Sequence, residues 1–114
     1  MTIHNTDLPS TVAAYLDATP DTDPATIAAL FSADATVADD GHTYRGRTEI
    51  ASWRRDVAAA FTYATTRLRA EQHGDVVVVV NRIEGNFPGG RIDLANQFTL
   101  DATDHIVSLT IEPT

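Results

Sequence analysis

The chain has no cysteine, no lysine, a single tryptophan and a single methionine. It also has no apolar run approaching the roughly 18 residues that a bilayer-spanning helix needs. Without cysteine, disulfides and thiolate metal sites are excluded, and cysteine usage says nothing about redox compartment. All eight basic residues are arginine, against sixteen acids, for a net charge of −8. A surface of that sign repels phosphate backbones, so no nucleic-acid partner is expected. His4, His42, His73 and His105 are scattered without metal-ligand spacing, so no metal is expected. No glycine-rich phosphate loop and no Gly-x-Ser-x-Gly motif occurs, and no cofactor is expected. The opening Met1-Thr2-Ile3-His4-Asn5 lacks a basic stretch followed by an apolar one, so the expected location is cytoplasmic, with no membrane partner.

What remains is an ordinary globular composition: 114 residues, 43% hydrophobic and 21% charged, enough for one domain over 1–114 and one modest core. Pro9 fits the first turn of a helix carrying Val12, Tyr15 and Leu16 and ending near Ala18, before Thr19-Pro20. Asp23 and Pro24 are a cap and first residue for a second short helix, with Ile27, Leu30 and Phe31 as its apolar stripe. Ala35, Val37 and Asp39 then alternate with Thr36, Ala38 and Asp40, which predicts a strand; Asp40-Gly41 turns, and His42 lies in the loop that follows. A third helix after Gly46 carries Ile50, Trp53, Val57 and Phe61 and ends near Ala60.

The rest reads as strands, over 62–72, from Val76 to Ile83, over 92–100 and from Ile106 to Ile111, with turns at His73-Gly74-Asp75, around Gly85–Gly90 and at 101–104. The five valines Val76–Val80 cannot be one-sided, so this strand is expected to be buried on both faces, in mid-sheet or under an oligomer contact. Arg82 and Glu84 share a strand face and are expected in an ion pair or a subunit contact. The pattern predicts an α+β domain: three helices packed on a strongly curved, mixed or antiparallel sheet that closes a conical pocket.

Three polar residues stand where apolar ones belong. Tyr15 lies on the inward stripe of the first helix, Asp39 on the inward parity of the first strand, and Asn96 among Ile92, Leu94, Phe98 and Leu100. A carboxylate on an inward face is costly unless it is paired, protonated or useful. An acid and two neutral donors around one apolar hollow can move a proton beside a carbonyl, the acid as base and the donors holding the enolate oxygen.

The whole chain resembles the nuclear-transport-factor-2-like superfamily, and within it the SnoaL-like branch. The resemblance is carried by Val12-Ala13-Ala14-Tyr15-Leu16, by Leu30-Phe31-Ser32-Ala33-Asp34-Ala35-Thr36-Val37, by Tyr44-Arg45-Gly46-Arg47 leading to Ile50, and by Gly85-Asn86-Phe87-Pro88-Gly89. It implies the cone fold; for activity the nearest mechanistic relative is ketosteroid isomerase. By that likeness Asp39 is similar to the general base and Tyr15 to the oxyanion-hole tyrosine. Asn96 falls where the isomerase has a protonated aspartic acid. The expected ligand is an apolar, carbonyl-bearing small molecule, steroid- or polyketide-like. Trp53, Phe61, Phe31, Val37, Phe98 and His42 are expected to line its site. Non-catalytic ligand binding or a dimeric scaffold is one alternative; an epoxide-hydrolase-like enzyme, for which Arg82-Ile83-Glu84 is a faint echo, is another. A homodimer through the sheet is expected.

Overall fold

The computed structural model describes residues 1–4 and 7–114. Pro9 caps rather than enters the first helix, α1 (Ser10–Asp17), whose inward face is Val12 and Tyr15. In α2 (Pro24–Ala28) the Asp23 carboxylate accepts the Ala25 N–H at 2.9 Å, and Pro24 stands at the first helical position. The expected continuation of this helix through Leu30 and Phe31 does not occur. The Leu30 carbonyl instead accepts the Ile106 N–H at 3.0 Å, and Phe31 opens β1 (Phe31–Asp39) in register with Ile106. A helix of five residues has little cooperativity of its own, and the sheet ladder outweighs it.

Along β1 the period of two holds: Ala35 and Val37 are fully buried and Asp39, on the same parity, is half-buried. Asp40 and Gly41 both have positive φ, 51° and 76°, so the chain reverses in a two-residue turn of the primed type. It re-enters the sheet at once as β2 (His42–Arg45), with Asp39 opposite His42. His42 is therefore the first residue of an exposed edge strand and not a loop residue. Gly46, at φ +82°, turns the chain from β2 into α3 (Gly46–Ala60), which buries Ile50 and Trp53.

Four long strands follow: β3 (Tyr63–His73), β4 (Val76–Gly85), β5 (Arg91–Leu100) and β6 (Ile106–Pro113). The sheet order is β2-β1-β6-β5-β4-β3, with β1 parallel to β6 and all other neighbours antiparallel. Register shifts at Phe31/Thr36, Arg67/Arg69 and Thr99/Leu100 bend the sheet around the helices, giving a curved mixed α+β cone. At the β3–β4 end the strands approach so closely that a Cβ on Gly85 would collide with the Thr62 carbonyl oxygen and lie 2.7 Å from Tyr63 Cβ.

The valine run is buried less symmetrically than its composition suggests. Val77 and Val79 face the helices at 0% exposure, whereas Val76 and Val78, on the outer face, are half-buried. The strand lies one place in from the edge, and on its outer face only Val80, at 4% exposure, is buried as the run predicts. Arg82, also on the outer face, pairs with Asp93 on β5 and not with Glu84: its Nε and Nη2 donate to the two carboxylate oxygens at 2.9 and 3.1 Å.

Candidate active site

Seven elements converge on one cavity of about 150 Å³, with Tyr63 and Thr65 of β3 and Ile111 of β6 among its walls. Tyr15 and Leu16 come from α1, Asp39 from the end of β1, Trp53, Arg54 and Val57 from α3, Asn81 and Ile83 from β4, and Leu94 and Asn96 from β5. The alternation of strand side chains sends Asn81 and Ile83 inward, and hence Arg82 and Glu84 to the opposite face. The Arg82-Ile83-Glu84 echo therefore places neither of its charged groups in the cavity.

Asp39 is the acid of the site. The Trp53 indole N–H donates to its Oδ2 at 3.1 Å, fixing the carboxyl and leaving its other oxygen available. Burial raises its pKa above 3.8; the Trp53 hydrogen bond opposes this, Asp40 adds to it and His42 lowers it. The indole is itself held, 4% exposed, against the Tyr44 ring at 5.9 Å.

Tyr15 is 7% exposed, its ring meeting Phe31 and Phe98 edge-on at 6.0 and 5.4 Å. Desolvation pushes the phenol up to about 12, against the lowering charge of Arg54, so the hydroxyl stays protonated and serves as a donor. The Arg54 guanidinium lies 5.4 Å from the Tyr15 ring centre and 5.7 Å from that of Trp53. Asn96 gives one amide hydrogen to the Val79 carbonyl at 3.2 Å; its contact with the Leu94 carbonyl is 3.5 Å, beyond ordinary hydrogen-bond length. A ligand oxygen can take over that second hydrogen. Asn81, 4% exposed, has an Oδ1 with no protein partner, an acceptor facing the same space.

The sequence-derived residues therefore divide. Asp39, Tyr15, Asn96 and Trp53 share the cavity. Phe31, Val37 and Phe98, each at 0% exposure, form the packed floor behind Tyr15 and do not line it. His42 and Phe61 lie outside, around a separate depression of about 210 Å³ that reaches Asp39 and Trp53 from the other side. Phe61 is 39% exposed because α3 ends there, and its ring packs edge-on against Phe87 at 6.3 Å. Sequence reasoning missed Asn81 and Arg54. Both were signalled: Asn81 continues the inward parity of Val77 and Val79, and Arg54 is four residues after Ile50 and three before Val57. Among the described residues no cluster of three or more potential metal ligands occurs. No described helix is long and apolar enough to cross a membrane.

The fold agrees with comparisons to known proteins. An inferred polyketide cyclase from Sinorhizobium meliloti superposes with a TM-score of 0.88 at 30% identity, over 96% of this chain and 100% of that one. A protein of ketosteroid isomerase-like fold from Catenulispora acidiphila, in complex with trimethylamine, is 26% identical with a TM-score of 0.79, over 91% of this chain and 85% of that one. An epoxide hydrolase/cyclase-like enzyme of pyran-ring formation in salinomycin shares the fold at 24% identity and a TM-score of 0.72, over 91% of this chain and 88% of that one. No curated protein sequence matches. The model of the SnoaL-like domain matches residues 12–108, and the chain belongs to that family, within the nuclear-transport-factor-2-like superfamily.

Proposed function

We propose that this protein is an acid–base enzyme that moves a proton at a carbon next to a carbonyl group. The reading is carried by one observation: a half-buried carboxyl, oriented by an indole N–H, lines the same small cavity as a phenol that stays protonated. Asp39 takes the proton from the α-carbon, and the C–H electron pair passes into the carbonyl to give an enolate. The Tyr15 hydroxyl, with the second Asn96 amide hydrogen, donates to the enolate oxygen. Asp39 then returns the proton to the same or a neighbouring carbon. Its raised pKa brings the carboxyl closer to the working pH, which favours both proton capture and return.

A volume of about 150 Å³ accommodates a benzene-sized group, so a single ring or short chain is the part of the ligand placed beside Asp39. Deuterium incorporation into small enolisable ketones such as cyclohexanone, followed by proton NMR in D2O, tests the reading. Wild type should exchange the α-protons faster than buffer, and Asp39→Asn should lose at least a hundredfold of that excess. Equal exchange by the two proteins refutes Asp39 as the base.

The outer face of the sheet, where Val76, Val78 and Ala95 are half-buried, supports a homodimer formed through that face.

A further inference from the structure

The mechanism above leaves one charged group in the cavity without a task. Arg54 lines it from α3, its Nε is enclosed without a hydrogen-bond acceptor, and its guanidinium is walled by the Tyr15 and Trp53 rings. No carboxylate lies within ion-pair distance of it; the pairs found among the described residues are His73–Glu71 and Arg82–Asp93. A guanidinium is planar, stays charged and offers a fork of donors matched to a carboxylate. The enclosed Nε, with no acceptor among the described residues, is a donor left for a ligand.

Its position relative to Asp39 sharpens the point. Asp39 is held by the Trp53 indole, and Arg54 stands over the Tyr15 and Trp53 rings, so that the charges of Asp39 and Arg54 both reach the neutral Tyr15 phenol. From the sheet wall, Asn81 Oδ1 on β4 and the Asn96 amide on the neighbouring β5 add polar groups to the same space.

We infer that Arg54 makes this cavity an anion-recognition site and that the natural substrate is a small carbonyl compound bearing a carboxylate, such as a keto acid of one ring or a short chain. The carboxylate is gripped by Arg54 while the carbon next to the carbonyl faces Asp39. The carbonyl part of this inference rests on the proton-transfer reading; the carboxylate part does not.

The test is binding of benzoate against its neutral isostere benzamide. The probe is the fluorescence of Trp53, the only tryptophan in the chain and a wall of the cavity, so the signal reports the site itself. Wild type should bind benzoate at least tenfold tighter than benzamide. Arg54→Gln should abolish that preference by weakening benzoate alone, and Arg54→Lys should restore it in part. No preference in wild type, no binding of either probe, or an unchanged preference in Arg54→Gln overturns the inference. The wild-type comparison decides it even if Arg54→Gln does not fold. Failure here leaves the exchange assay on neutral ketones untouched, and loss of the Asp39-dependent exchange leaves the benzoate preference untouched, so the two readings fail separately.

Discussion

Tyr15→Phe separates catalysis from packing in this site. The substitution keeps the ring and with it both edge-on contacts, to Phe31 at 6.0 Å and to Phe98 at 5.4 Å, each worth about 0.5–1.5 kcal/mol beyond area burial. Only the hydroxyl is lost, and desolvation already penalises that group in the folded chain, as its pKa of about 12 records. A typical hydrogen bond contributes about 0.5–1.5 kcal/mol net, so folding stability should change by no more than about 1 kcal/mol. The effect on rate is far larger. Removing one donor to a developing oxyanion costs about 10²–10³ in kcat, or about 2.7–4 kcal/mol. Thermal melting and the deuterium-exchange rate on cyclohexanone, measured on the same preparation, read the two quantities together. The expected result is a melting temperature within a few degrees of wild type and exchange lowered at least a hundredfold. A variant that melts normally and exchanges at the wild-type rate refutes Tyr15 as the oxyanion donor. One that loses both shows that the hydroxyl is structural.

Other consequences follow from single contacts. Asp39 has a pKa raised above 3.8, so the folded chain favours its protonated form, and the stability this brings is lost as pH rises through its titration. Asp39→Asn keeps an acceptor for the Trp53 N–H. It should therefore melt above wild type at neutral pH, with the gap closing below pH 3.8; a variant less stable at neutral pH contradicts the sign. Gly85→Ala, whose Cβ would meet the Thr62 carbonyl and Tyr63, should cost about 1–3 kcal/mol in urea unfolding and disturb the cavity wall at Tyr63; an unchanged midpoint means that the strand ends are looser than described. Sedimentation should find a dimer, and Val78→Glu on the outer sheet face should make it monomeric; a monomeric wild type contradicts the dimer.

The element types were legible wherever periodicity was strong: the 3.6 pattern of α3 and the period-two alternation of β1 and β5 gave helix, strand and the inward parity of Asp39 directly. Two short elements were not. Leu30 and Phe31 continue a helical apolar stripe, and only the parallel partner Ile106, some 75 residues away, draws them into the sheet. His42 looked like loop because four residues beside a turn carry no periodicity, although Asp40-Gly41 is a pair that favours a tight hairpin. Within the site, Tyr15, Asp39 and Asn96 stood out by breaking an apolar pattern. The Trp53–Asp39 bond did not, since nothing in a sequence aligns an indole N–H with a carboxylate 14 residues back. Arg54 has the helical spacing of the inward stripe, four residues after Ile50 and three before Val57, but an arginine there reads first as a solvated charge.

The central claim is that Asp39 is a desolvated base, and titration of its carboxyl carbon by NMR, alongside the pH profile of ketone exchange, tests it most directly. The account predicts a carboxyl that titrates above 3.8 and an exchange rate that falls with the same midpoint as pH is lowered. A carboxyl that titrates at or below 3.8, or an exchange profile that does not follow it, contradicts the account.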